Sequence, residues 1–322
     1  MNRHGSLELI KHLVIVVGLT LFLLLAKTTI AAPQGSPWNE TYFPNIELID
    51  QDGKKLRFYD DLIKNKEVAI NFIYTHCGDV CPLETASMSQ VQKRLVDRVG
   101  KDIFFYSISV DPNRDTPQVL QAYAKRYKAG NGWRFLTGKK QDIILLRKKL
   151  GMYRESEEKN VKDHHTSIMI GNEALGIWIK RSPFDDPKAL AWTLGYAIAS
   201  DKTAYRSSRQ TSYKTAQIRP KMSRGEDLFR FRCEACHSLG TQDGLGPGLF
   251  GVTAKRDKAW LVRWLKAPDK LLAEKDPLAV ALYNRYNKVM MPNLRLSDLD
   301  IESVLDYMTS HDKDQAALAL HR

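Results

Sequence analysis

Cysteine is scarce in this sequence: Cys77, Cys81, Cys233 and Cys236 are the only four in 322 residues. They fall into two tight pairs, so no dispersed disulfide framework is possible and every thiol is assigned to local chemistry. Long apolar runs are also missing. The best candidate, Leu13 to Ala26, is preceded by Arg3 and Lys11 and followed by Thr29-Ile30-Ala31-Ala32-Pro33. It is nearer a signal-peptide core than the ~20 apolar residues of a spanning helix. Residues 1–32 are expected to be a signal peptide cut after Ala31, or an uncleaved N-terminal membrane anchor in which Lys27 snorkels. Either way the body is expected to be exported. In a bacterium that means periplasmic, soluble or anchored to the inner membrane. A collagen-like or disordered bias is absent too. The length implies two domains, each able to bury a core.

Acidic residues are outnumbered 37 to 49, for a net charge of +12. Much of the excess lies between Ser200 and Arg224, where seven basic residues face Asp201 alone. Such a stretch can attract a membrane surface or an acidic protein. No nucleic-acid motif accompanies it, so nucleic acid is not an expected partner. The stretch has no helical or alternating pattern, and a solvated linker accounts for it equally well. We take 201–221 as a basic linker that would span on the order of 25 Å as a flexible coil.

Before the linker, strand and helix patterns alternate, which argues an α/β unit over 37–200. Val68–Tyr74 and Ile103–Val110 read as buried strands, and Leu83–Val99 as a helix with apolar residues at Met88, Val91, Leu95 and Val99. Thr116-Pro117 reads as a helix start. A short strand at Trp133–Thr137, a helix at Asp142–Leu150, a hairpin over Ser167–Lys180 and a helix at Pro187–Ala199 complete the unit. Cys77 and Cys81 stand where the first strand turns into the first helix. If that helix begins near Cys77, both sulfurs share a face, and the helix N-terminus favours their thiolates. Two thiolates make a soft-metal site or a disulfide, and a third group must decide. Thiolates with an imidazole suit copper in both oxidation states, whereas structural zinc normally takes four protein ligands. His76 is better read as pointing away from the cysteines than as a fourth ligand.

After the linker comes Cys233-Glu234-Ala235-Cys236-His237, the c-type haem attachment signature, although a zinc knuckle or a redox pair can mimic it. A helix with Gly225 and Phe229 precedes it, and Gly246-Pro247-Gly248 follows. Val289-Met290-Met291-Pro292 then leads to a final helix, capped by Ser297 and running from about Asp298 to Ser310, with a frayed tail over 313–322. Trp260 and Trp264, four apart, read as core or haem-edge packing.

Two resemblances follow from these motifs. Tyr74-Thr75-His76-Cys77-Gly78-Asp79-Val80-Cys81-Pro82, Ser109-Val110-Asp111-Pro112-Asn113-Arg114-Asp115-Thr116-Pro117 and Asp163-His164-His165-Thr166 together resemble the SCO/SenC family over about 40–200. That resemblance implies a thioredoxin-like fold and a copper ion held by Cys77, Cys81 and a histidine. The family's ligand precedes Ser or Thr, which selects His165 over His164. The family commonly reads Cys-Pro-Asp-x-Cys-Pro, so Gly78 departs from its first proline. Asp79 fits its acidic position and can tune the site from outside the ligand set. Residues 222–312 resemble a class I cytochrome c domain. This implies haem c attached through Cys233 and Cys236, with His237 and the methionine before proline, Met291, as axial ligands; Met290 is the competing choice. His/Met ligation suits electron transfer.

The implied architecture is an α/β thioredoxin-like domain followed by an all-α cytochrome c domain. The expected function is an exported copper metallochaperone for cytochrome c oxidase assembly. Its haem would pass electrons to or from the Cys77/Cys81 centre. Its client would be the oxidase copper-site subunit or another periplasmic copper protein. The alternative is a thiol–disulfide oxidoreductase in which Cys77 and Cys81 cycle with haem as relay. A sensor or simple electron carrier is a third reading.

Overall fold

The computed structural model describes residues 37–78, 80–158, 166–200 and 222–320. The expected leader, the linker at 201–221, Asp79 and the His164–His165 pair lie outside them.

The first module is built on a seven-stranded sheet of order β2-β1-β5-β4-β3-β6-β7. β3 (Glu67–Ile73), β4 (Ile103–Ser109) and β5 (Trp133–Gly138) run parallel at its centre. β1 (Glu47–Asp50) and β2 (Lys55–Arg57) form a hairpin on one edge, β6 (Ile168–Asn172) and β7 (Ile177–Arg181) another on the opposite edge. β3 is buried along its whole length, as a central strand covered on both faces must be. Its alternate residues feed two cores. Ala69 and Ile73 join Phe105 and Phe135 on one face, while Val68, Ile70 and Phe72 join Tyr106 and Ile108 on the other.

Helices α1 (Cys81–Arg94), α2 (Pro117–Arg126) and α4 (Pro187–Trp192) cover the first face, and α3 (Lys140–Lys149) the second. Thr116 caps α2 as its position before Pro117 requires, its Oγ1 accepting from the Val119 N–H at 3.4 Å. The helix expected over Pro187–Ala199 keeps α-geometry only to Trp192 and continues as a wider turn, Thr193–Ala197.

The second module is helical: α5 (Arg224–Leu228) widening into Phe229–Cys233, then α6 (Val252–Lys255), α7 (Lys258–Lys266), α8 (Pro268–Ala273), α9 (Pro277–Arg285) and α10 (Asp298–Leu320). Phe229, Leu261, Leu265, Ile301, Val304 and Met308 form its core. α5 crosses α10 at Gly225, where a Cβ would stand 1.9 Å from the Ser303 carbonyl oxygen. Only glycine allows that approach. The tail expected to fray past His311 is instead helical to Leu320. The Gly251 N–H donates to Asp312 at 2.9 Å, and the run Ala316 to Leu320 has strong helix propensity.

The two modules touch. Ala235 and Leu245 belong to the same buried cluster as Leu83 and Ala86 of α1. Gln90 donates to the Ala235 carbonyl at 3.1 Å, Lys128 to that of Gly244 at 3.3 Å, and the Asn293 N–H to that of Gly78 at 3.4 Å.

Candidate metal centres

β3 ends at Ile73 and the chain turns through Tyr74–Val80 before α1 opens. The Cys77 N–H donates to the Tyr74 carbonyl at 3.2 Å, closing this turn. α1 begins at Cys81, with Pro82 in its first turn, so Cys77 lies before the helix and not on it. The two sulfurs still meet: Cys77 and Cys81 are hydrogen-bonded, buried, and packed against Tyr74 and Val110. The expected thiolate character is not favoured at Cys81. The hydrogen bond with Cys77 raises the Cys81 pKa well above that of an ordinary thiol, and burial and the nearby Cys77 and Glu84 charges add to it. A metal ion that binds this pair displaces the thiol protons.

A buried carboxylate fixes the turn. Asp115 Oδ1 accepts from Thr75 Oγ1 at 2.6 Å, and Asp115 Oδ2 accepts from Ser109 Oγ at 2.6 Å and from the Thr75 N–H at 3.1 Å. The Ser109–Pro117 motif therefore shapes the cysteine turn from beneath. His76 is exposed and sits 3.1 Å from Thr75 Oγ1.

Sequence reasoning missed Glu84. It is fully buried one turn after Cys81, and among the described residues neither of its oxygens has a partner at hydrogen-bond geometry. Burial pushes its pKa up to about 8, against a pull from Asn71 and with a smaller push from the Cys77 charge. The available signal was an acidic residue inside the apolar start of α1.

Among the described residues no group of three or more His, Cys, Asp or Glu side chains could hold a metal. His165, the third ligand implied by the resemblance, lies outside those residues. The described backbone leads toward it, however. β6 runs antiparallel to β3 with Ile168 opposite Asn71, so the chain before Ile168 arrives at the end of β3 where the cysteine turn begins.

In the second module two adjoining clefts share Cys233, His237, Trp264, Leu282, Tyr286 and Met291 on their walls. The Nδ1–H of His237 donates to the Pro247 carbonyl at 2.8 Å, which fixes the tautomer and leaves Nε2 as the ligating nitrogen. Burial lowers the His237 pKa, keeping the ring neutral as a metal ligand must be. As thiols, Cys233 and Cys236 are both pushed up to about 12, chiefly by burial. Trp260 and Trp264 stack with centroids 5.4 Å apart, and Trp264 reaches the cleft. A mostly apolar slot with two thiols, an oriented imidazole and a thioether on its walls fits a haem c held by Cys233, Cys236, His237 and Met291. Both neighbouring methionines line the first of these clefts; Met291 also packs with the helical core, and the Met290 sulfur also lies beside Gly78 of the first module.

Residues 37–192 match the SCO1/SenC family model and residues 222–312 the cytochrome c model. An SCO1 protein homolog of Bacillus subtilis is 30% identical over 146 residues, covering 42% of this chain and 74% of that protein. An SCO2-like protein of Rickettsia felis is 31% identical over 192 residues, covering 55% and 89%. Among solved structures, the cytochrome c domain of the pp3183 protein from Pseudomonas putida is 48% identical, covering 28% of this chain and 88% of that one, with a TM-score of 0.27.

Proposed function

Because this chain belongs to the SCO1/SenC family and carries a cytochrome c domain behind that module, we propose that it is an exported copper-binding assembly factor for cytochrome c oxidase. Its cofactors are copper and haem c. The observation that carries this reading is the contact between the two candidate centres, where the cysteine turn and the loop bearing Met291 are joined by the Asn293–Gly78 hydrogen bond.

Cys77 and Cys81 are placed to hold copper as a soft dithiol, and His165 supplies the nitrogen that lets the site accept both oxidation states. Two residues separate His165 from Ile168, a chain reach of at most about 11 Å from the residue paired with Asn71 near the end of β3. Cys233, Cys236, His237 and Met291 hold the haem, which supplies one-electron chemistry without an open coordination position. Asp115 and Thr75 hold the cysteine turn in place, and the Pro247 carbonyl orients His237. Glu84 sets the local charge by staying neutral beside the dithiol. The client is the oxidase copper-site subunit or another periplasmic copper protein. The basic linker, with the leader, favours a membrane-near location.

A thiol–disulfide oxidoreductase is the second reading, favoured by the hydrogen bond between Cys77 and Cys81. Adding Cu(II) to the ferrous holoprotein separates the two. The assembly-factor reading expects haem oxidation matched to the copper added and lost in Cys77→Ser. If the haem stays ferrous with copper and is oxidised only as a preformed Cys77–Cys81 disulfide is reduced to two thiols, two ferrous haems per disulfide, the second reading holds.

A further inference from the structure

Gly78, directly after Cys77, is where the loop of the second module reaches the cysteine turn. Gly78 is not among the glycines in the left-handed region, so a side chain would be tolerated conformationally. Its surroundings place a thioether there. A Cβ at Gly78 would lie in van der Waals contact with Met290 Sδ, at 3.5 Å. Met290 shares one cleft with Thr75, His76, Cys77 and Pro82, the residues around the first thiol.

The route by which Met290 arrives is unusual. Asn287 and Lys288 are consecutive non-glycine residues in the left-handed region, with φ of 55° and 58°. Glycine and asparagine adopt that region readily and lysine does not, so the backbone at Lys288 is held there by its surroundings. Both methionines after this turn line the haem cleft, and Met290 in addition reaches the cysteine turn, where it lines the cleft beside Cys77 and stands next to Gly78. The Asn293 N–H then fastens the loop to the Gly78 carbonyl. Met290 is only half-buried, so it is not a gap-filler inside a core.

Resting on the copper reading above, we propose that Met290 is an interdomain thioether ligand for Cu(I) at the Cys77–Cys81 site, supplied by the loop that carries the haem's Met291. A thioether is soft and uncharged, so it favours Cu(I) over Cu(II). The cytochrome module would thus close the copper site on the side that Gly78 leaves open. Copper in its reduced form would be held more tightly while the two modules are docked.

The test uses the full chain with haem attached, titrated with Cu(I) against a chromophoric Cu(I) chelator and separately with Cu(II). Met290→Leu keeps the bulk and removes the sulfur. The expected result is Cu(I) affinity lower by roughly tenfold or more, about 1.4 kcal/mol per tenfold. Cu(II) affinity stays within twofold, and X-ray absorption counts one sulfur fewer around Cu(I). The methionine–iron charge-transfer band of the haem is retained in Met290→Leu and lost in Met291→Leu. Unchanged Cu(I) affinity in Met290→Leu, with Cys77→Ser abolishing it, would overturn the inference while leaving the copper reading intact. Loss of the haem band in Met290→Leu would overturn it by making Met290 the haem ligand. A parent protein that binds no copper at all would remove both the reading and the inference.

Discussion

Cys77 and Cys81 lie at the junction of a parallel strand and a helix, while Cys233 and Cys236 lie one turn apart at the end of a short helix, beside an apolar cleft. Cys77, Cys81 and Cys233 are buried and Cys236 is half-buried, and desolvation contributes to the raised pKa of Cys81, Cys233 and Cys236. The neighbours differ. The first pair shares a hydrogen bond and sits near Glu84, another buried ionisable group. The second is followed at once by the imidazole that completes its motif. A short contiguous motif thus carries most of the haem site. The copper site draws on residues from β3, from the Ser109–Pro117 segment and, in our proposal, from His165 and the other module. The first pair depends on the fold, and the second shapes the fold around what it holds.

The sharpest way to break this comparison is to remove the second pair. Cys233→Ser with Cys236→Ser is expected to abolish covalent haem, seen as loss of haem staining on a denaturing gel. It should also loosen the helical core, because Cys233 packs against Phe229 and Leu261 in it. Copper uptake by the first module should survive. If copper uptake fell in parallel, the two pairs would not be separable.

A smaller effect isolates the electrostatics of the first pair. Glu84 is protonated in the folded protein up to about 8 and has an ordinary value of 4.5. Between those values the folded state binds the extra proton, so stability is greatest at the acid end and falls as pH rises. The slope approaches roughly 1.4 kcal/mol per pH unit. Urea unfolding of copper-free protein at several pH values between 5 and 8 should show this decline, and Glu84→Gln should flatten it. An equal slope in the variant would remove Glu84 from the account.

The smallest effect tests the helical frame. Gly225→Ala places a methyl group against the Ser303 carbonyl and is expected to destabilise the cytochrome module by about 1–3 kcal/mol, with its haem spectrum intact. Thermal unfolding followed in the haem band measures this. An unchanged midpoint would mean that α5 and α10 separate without cost.

How much of this was legible beforehand follows the same division. β3, β4 and β5 announce themselves as apolar runs, and Thr116-Pro117 announces its helix, because local chemistry sets them. The hairpin of β1 and β2 does not, since strands of four and three residues carry too little alternation to read. Its turn depends on Asp50 accepting from the Asp52 and Lys54 N–H groups, and on Gly53 with φ of 82°. The start of α1 at Cys81 and the added turns of α10 were misjudged because end residues answer to tertiary contacts such as Gly251 to Asp312. Glu84 was overlooked because its environment is set by β3 and the cysteine turn, not by its sequence neighbours. The contact of Met290 with Gly78 joins residues more than two hundred positions apart, which no local pattern encodes.

The claim on which all this turns is that sulfur from Cys77 and Cys81 and nitrogen from His165 bind one copper ion. The direct measurement is copper content and Cu(II) affinity of the full holoprotein and its His165→Ala variant, with Cys77→Ser alongside. The account predicts near-stoichiometric copper in the parent and weak binding in both variants. Copper held as tightly in His165→Ala as in the parent, with Cys77→Ser alone losing it, would contradict the account.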